Sequence, residues 1–268
     1  MTIEETPRCP IGSYLPTTGS LDTNPFDVIE EVGSRAPFWV EDPADAPGYW
    51  VVTKYADARE ALQDHERFSA VGVSIPWAEL AEPMLPSFAD PPEVQKYRRA
   101  LVRAMSPTAI EGLKPRMEEI CADLISKFVD RGHCEAVGEF ASLFPITVFL
   151  GFFGMPAEQC DEFIYWAHKW LHDRTNQREY WAHIQQIVSA QVDAKVGQPP
   201  EDLLGIIAND TIDGEPITRS IAVNIASTVF IGGLETVPTV ITWSLRHLAL
   251  NPDVRATLVA DLSETDTA

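Results

Sequence analysis

The stretch IAVNIASTVFIGGLETVPTVITWSL occupies residues 221–245 and holds one ionisable group, Glu235, in 25 positions. As a helix it spans roughly 37 Å at ~1.5 Å per residue, long enough to cross a whole domain as a buried rod. Its centre, Gly232-Gly233-Leu234-Glu235-Thr236-Val237-Pro238, is poorly suited to a plain core helix. Each glycine costs about 1 kcal/mol of helix propensity, and a proline that cannot donate to the carbonyl four residues back costs about 3 kcal/mol. A carboxylate among apolar side chains adds a desolvation penalty. These costs fall within seven residues, which predicts an opening in the helix that faces a ligand. The missing Cβ atoms of Gly232 and Gly233 admit a flat or diatomic molecule to the backbone. The Thr236 hydroxyl can reach the Gly232 carbonyl, and Glu235 becomes a proton source at the opening.

Outward from this rod, the chain reads as helix-rich. Phe38–Glu41 and Tyr49–Thr53 pair as an early hairpin, and Tyr55–Leu62 has helical apolar spacing. Val71–Phe88 carries Pro76, Pro83 and Pro86 and reads as a long irregular loop. Helices are expected at Glu93–Met105, Pro107–Arg131, Phe140–Gly151, Ala157–Asp173, Arg178–Lys195 and Glu201–Asn209. A turn follows at Thr211–Pro216, then the long helix over about 218–250, and a last helix from Pro252 to Leu262. Residues 1–25 are read as an arm, 26–262 as one domain, and 263–268 as a polar tail. No βαβ alternation and no internal repeat occurs, so a doubly wound nucleotide-binding sheet is not expected.

Composition narrows the partners. Of 268 residues, 20 are basic and 40 acidic, for a net charge of −20. Nucleic acid and an anionic membrane surface are repelled on average. Four cysteines (Cys9, Cys121, Cys134 and Cys160) form no CxxC pair, and Met1-Thr2-Ile3-Glu4-Glu5 opens acidic where a secretion signal opens basic. A cytoplasmic protein with reduced thiols is the expectation. His168, His172, Glu179 and His183 would stack on one face of an unbroken helix like a metal site, but Asp173-Arg174-Thr175-Asn176 breaks it, and an exposed histidine-rich face is expected instead.

Three collinear motifs carry a resemblance. Gly232-Gly233-Leu234-Glu235-Thr236 resembles the (A/G)GX(D/E)T motif in the long distal helix of cytochrome P450 monooxygenases. Asp90-Pro91-Pro92-Glu93 with Tyr97-Arg98-Arg99 is similar to the family's DPPE…(F/Y)R helix opening, and Phe68-Ser69 stands where the family often has an FS pair. Gly132–Pro156 and Ala208–Thr218 are similar to the bacterial camphor-hydroxylating branch. The likeness runs from about residue 20 to 262. It implies the mainly α P450 fold with its small hairpin, and a haem-thiolate monooxygenase that inserts one atom of O2 into a small hydrophobic, terpenoid-like substrate.

Carried to this chain, the resemblance makes Thr236 and Glu235 the proton-delivering pair that favours O–O cleavage over loss of peroxide. It places Arg98 on a propionate of haem b and sets Gly232 and Gly233 against the cofactor. Thr228 and Ile231 then face the substrate, with Ile75, Trp77, Leu80, Met84 and Leu85 as its lid. Where the family often has a second propionate donor, a histidine four positions before the arginine, this chain has Val94. Lys96, Arg98, Arg99 and Arg103 form a basic cluster suited to an acidic ferredoxin donor, or simply a solvated face. The family's axial cysteine, in an FxxGxxxC loop, and its ExxR pair do not follow Asn251. The sequence is therefore expected to stop before the haem-thiolate loop and to hold no iron ligand. The competing readings are a short relative acting as a ligand-binding or interaction module and, more remotely, a membrane-associated helical protein.

Overall fold

The computed structural model describes residues 30, 32–33, 37–40, 48–71, 84–156, 160–173 and 176–265. Two compact units divide the chain, one of residues 1–83 and 87–94, the other of 84–86 and 95–268.

In the first unit, β1 (Phe38–Val40) pairs antiparallel with β2 (Tyr49–Val51), with Phe38 opposite Val51 and Val40 opposite Tyr49. Side chains alternate along a strand, so Phe38 and Val40 share a face. Both are buried, with Val32 beside them. Helix α1 (Tyr55–Gln63) follows and buries none of its residues. The Phe68-Ser69 pair is tied to the DPPE motif: the Ser69 hydroxyl donates to Asp90 Oδ2 at 2.5 Å and Ala70 N–H to Oδ1 at 2.8 Å.

The second unit is helical. Its elements are α2 (Glu93–Ala104, which begins in the first unit), α3 (Pro107–Ser126), α4 (Leu143–Phe153), α5 (Cys160–His172), α6 (Gln177–Lys195), α7 (Leu203–Ala208), α8 (Arg219–Leu250) and α9 (Pro252–Thr265). A small hairpin, β3 (Thr211–Ile212) with β4 (Glu215–Pro216), precedes α8. Local chemistry sets the helix ends. Ser106 caps α3 just before Pro107, Asp202 caps α7 through Gly205 N–H at 2.8 Å, and Thr218 caps α8 through Ile221 N–H. At the other end of α4, Gly154 takes a left-handed conformation, φ 87°, that a side chain would resist.

Helix α8 is the hub, packed by α4, α5, α6, α7 and α9. From Ala222 to Ile231 nearly every residue is buried. Length and apolarity alone would let α8 cross a membrane, yet 56% of its most apolar window is buried inside the fold, as in a core helix.

Several boundaries differ from the sequence reading. The helix from Pro107 ends at Ser126 and is followed by a separate 3-10 turn, Val129–Arg131, which Gly132 closes. A π-helical turn, Val137–Ala141, stands before α4 where a simple helix start was expected. Residues 211–216 form a two-rung hairpin around Asp213 and Gly214, both at positive φ. Helix α9 runs on to Thr265, into the stretch read as a polar tail. Helix α8 stays continuous through Gly232–Pro238, so the expected opening is not a break. Packing of Leu234 and Pro238 into the core holds the turn helical despite the lost proline hydrogen bond.

Candidate functional site

The expected residues on α8 divide between faces, because successive side chains turn by about 100° around a helix axis. Gly232 and Thr236, four apart, share an exposed face. Thr236 Oγ1 donates to the Gly232 carbonyl at 2.8 Å, the back-bond expected of it. A Cβ on Gly232 would meet nothing within 4 Å, so this turn of helix presents bare backbone to open space. Val237 and Val240 are also exposed, the latter by 64%, giving the surface an apolar continuation.

Gly233 has a different reason to be glycine. A Cβ there would stand 2.6 Å from Cζ and 2.7 Å from Cδ2 of Phe149. That ring packs on Phe153 and Phe230, at centroid distances of 5.4 and 5.9 Å, and both partners are fully buried. The absence of a Cβ at Gly233 thus lets α4 approach α8, a packing reason beside the ligand role expected of it.

Glu235 lines a cavity of about 410 Å³ formed by the π turn, α4, α5 and α8. Val137, Ser142, Ile146, Ile164, His168, Leu234, Pro238, Thr239, Thr242 and Trp243 complete its wall. Neither Thr236 nor Gly232 belongs to it. Thr228 and Ile231 do not line it either; both are buried, and the Thr228 hydroxyl donates to the Asn224 carbonyl at 3.0 Å.

Of the expected lid, Ile75, Trp77 and Leu80 lie outside the described residues. Met84 is buried, and Leu85 N–H donates to Asn224 Oδ1 at 2.7 Å. This holds the end of the proline-rich loop against α8 one turn before Thr228. Asn224 is a residue that the sequence reading missed. An amide in an apolar rod needs a partner when buried, which was a usable signal.

Arg98 is exposed and forms no ion pair among the described residues, whereas two members of its basic cluster are committed to the hairpin region. Lys96 pairs with Asp213 at 2.9 Å, and Arg103 pairs with Asp210, whose side chain is only 4% exposed. The histidine-rich segment is split between two helices. His183 stacks on Trp166 at 4.1 Å and lies 3.9 Å from Glu179.

Elsewhere, carboxylates are held below their ordinary range by donors. Ser69 and Ala70 do this to Asp90, Arg131 and the Glu135 N–H to Glu139, and Arg219 to Asp193 through two bonds of 2.6 and 2.8 Å. The described residues contain no group of three side chains arranged for a metal ion.

No family model matches the chain. Among curated proteins it is similar to cytochrome P450 107B1 of Saccharopolyspora erythraea, 25% identical over 80% of this chain and 56% of that protein. It is also similar to the vitamin D(3) 25-hydroxylase of Pseudonocardia autotrophica, 27% identical over 92% of this chain and 63% of that enzyme. Among solved structures, that of CYP101J2 superposes with a TM-score of 0.76, at 25% identity, over 89% of this chain and 59% of that one. The chain thus spans between 56% and 63% of the length of these relatives. Their names differ, so the likeness concerns the family and no one branch of it. With the helical order, the GGLET turn on α8 and the tied DPPE segment already in place, sequence and fold agree: the chain is similar to bacterial cytochrome P450s in both.

Proposed function

We propose that the protein serves a haem monooxygenase, in which these residues form the distal wall and proton path above haem b. When bound, haem supplies the iron at which dioxygen is activated. The exposed face of α8 suits that group: Gly232 leaves the backbone bare, Thr236 stands beside it, and Val237 and Val240 offer apolar surface to a flat macrocycle. The exposed guanidinium of Arg98 suits a propionate, because its planar fork can bond both carboxylate oxygens. The axial side is not matched. Cys121 is on α3 and Cys134 is exposed beyond Gly132, outside any loop of the FxxGxxxC kind. Cys160 opens α5, likewise outside such a loop.

The observation that carries the reading is the Thr236 hydroxyl held at the bare turn. While it donates to the Gly232 carbonyl, its lone pairs remain turned to the open face and can accept a proton-bearing water. Glu235 stands on the adjoining face, in the cavity with His168. Protons would enter by the cavity side and leave at Thr236, a relay that runs around the helix. A small hydrophobic substrate, of which a terpenoid is one kind, would lie near Thr228, Ile231 and Leu85. A ferredoxin-type donor would supply electrons in the cytoplasm, and with Lys96 and Arg103 already paired and Arg98 assigned to a propionate, Arg99 is the member of the cluster left to attract it.

Haem titration of the chain tests this, read by the Soret band. Saturable binding is expected, weakened in Arg98→Ala and abolished in Gly232→Trp, whose side chain covers the bare turn. Binding that is indifferent to Gly232→Trp would place haem elsewhere and overturn the proposal.

A further inference from the structure

The cavity beside Glu235, from which the proposed proton path starts, has apolar walls and hydroxyls that proton delivery alone does not use. Its walls are mainly apolar, from Ile146, Ile164, Leu234, Pro238 and Trp243, and its volume of about 410 Å³ lies within the range of small-molecule sites. Its polar groups are few: Glu235, His168 and the hydroxyls of Ser142, Thr239 and Thr242.

Those hydroxyls are distinctive. Elsewhere on α8, Ser227, Thr228, Thr236 and Ser244 each donate to the carbonyl four residues back. Among the described residues, the hydroxyls of Thr239, Thr242 and Ser142 form no hydrogen bond, so they remain available to an occupant of the cavity.

We propose that this cavity binds a small lipophilic amine, its ammonium on Glu235 and its hydrocarbon body against Ile146, Ile164, Pro238 and Trp243. The other ligand classes fit less well. A pure hydrocarbon would strip water from a carboxylate and three hydroxyls and return nothing. A carboxylic acid would bring a second negative charge to Glu235, in a chain whose net charge is already −20. An ammonium adds a charge-assisted bond to the carboxylate and still has donors for the hydroxyls. Glu235 can hold it alongside another partner, since a carboxylate offers about four acceptor positions. The ligand would occupy the side of α8 adjoining the Gly232–Thr236 face, leaving that face itself uncovered.

The test uses the haem-free chain, so its outcome is independent of the haem titration. Calorimetric titrations with amantadine, adamantanol and adamantanecarboxylate compare three isosteres of one hydrocarbon body. Saturable amantadine binding is expected, about tenfold or more tighter than adamantanol, as a charge-assisted bond implies, with the acid weakest. Glu235→Gln should bring amantadine to the level of adamantanol and leave adamantanol unchanged. Thr239→Trp, which starts from an exposed position and folds into the cavity, should remove both. Circular dichroism confirms that each variant folds. The proposal is overturned if none of the three saturates, if the acid binds as well as the amine, if Glu235→Gln keeps the amine preference, or if Thr239→Trp leaves binding intact.

Discussion

Replacing each glycine of the GGLET turn by alanine separates the two roles that the fold assigns to this pair. At Gly232 the new methyl enters open space, so only the propensity effect remains, a gain of up to about 1 kcal/mol. At Gly233 the same gain is opposed by the Phe149 ring, 2.6 Å from the added carbon at Cζ. The ring cannot retreat cheaply, because Phe153 and Phe230 behind it are fully buried. Overpacking a well-filled core costs about 1–3 kcal/mol, and a ring backed this way belongs in the upper half of that range. The net loss for Gly233→Ala is then about 1–2 kcal/mol, and the two variants differ by about 2–3 kcal/mol. Urea unfolding followed by circular dichroism should separate their midpoints by about 1 M, given slopes of roughly 2–3 kcal/mol per M. A double-mutant cycle locates the cause: in a Phe149→Ala background, Gly233→Ala should cost nothing or stabilise. Equal stabilities for the two alanine variants, or a penalty that survives removal of Phe149, would refute the packing argument and return Gly233 to the ligand side.

Two further outcomes follow from the charged groups. Hydrogen bonds from Ser69, then Ala70, hold Asp90 below its ordinary carboxylate value. The stability it contributes is therefore complete above the unfolded carboxylate pKa and lost as pH falls through the lower folded one. In carboxyl NMR, Ser69→Ala should move the Asp90 titration upward, and an unmoved titration would deny the clamp. Removing Arg103 strands the buried Asp210 carboxylate. Arg103→Ala should destabilise by about 1–3 kcal/mol, and adding Asp210→Asn should recover part of that loss in the same urea assay; a double variant no better than the single one would show that the pair is not what is lost.

The helical inventory was legible in the chain because its signals are local. Apolar period, caps such as Ser106 and Thr218, and breaks such as Gly132 and Gly154 act within a few residues of where they stand. The early hairpin and the unbroken apolar course of α8 were readable for the same reason. The boundaries that moved, at Ser126, the π turn and Thr265, lie where no strong cap or breaker stands.

The candidate site was legible as a list and not as an arrangement. GGLET marked the place on α8, and the bond from Thr236 to Gly232 follows from spacing alone. Which way each residue of the motif looks was decided by its neighbours. The α4 aromatics claimed Gly233, the cavity walls of α4 and α5 received Glu235 beside His168, and the open side kept Gly232 with Thr236. Asn224 and Leu85 are 139 positions apart in sequence, and Arg103 and Asp210 are 107 apart, so no local pattern could pair them. A helix sequence determines the angle between its own side chains, while the direction in which that wheel is turned depends on which surfaces pack against it. The sequence by itself determined that α8 would be a long apolar helix carrying one carboxylate at a glycine-rich turn. Tertiary packing decided that the carboxylate and the threonine next to it face different spaces.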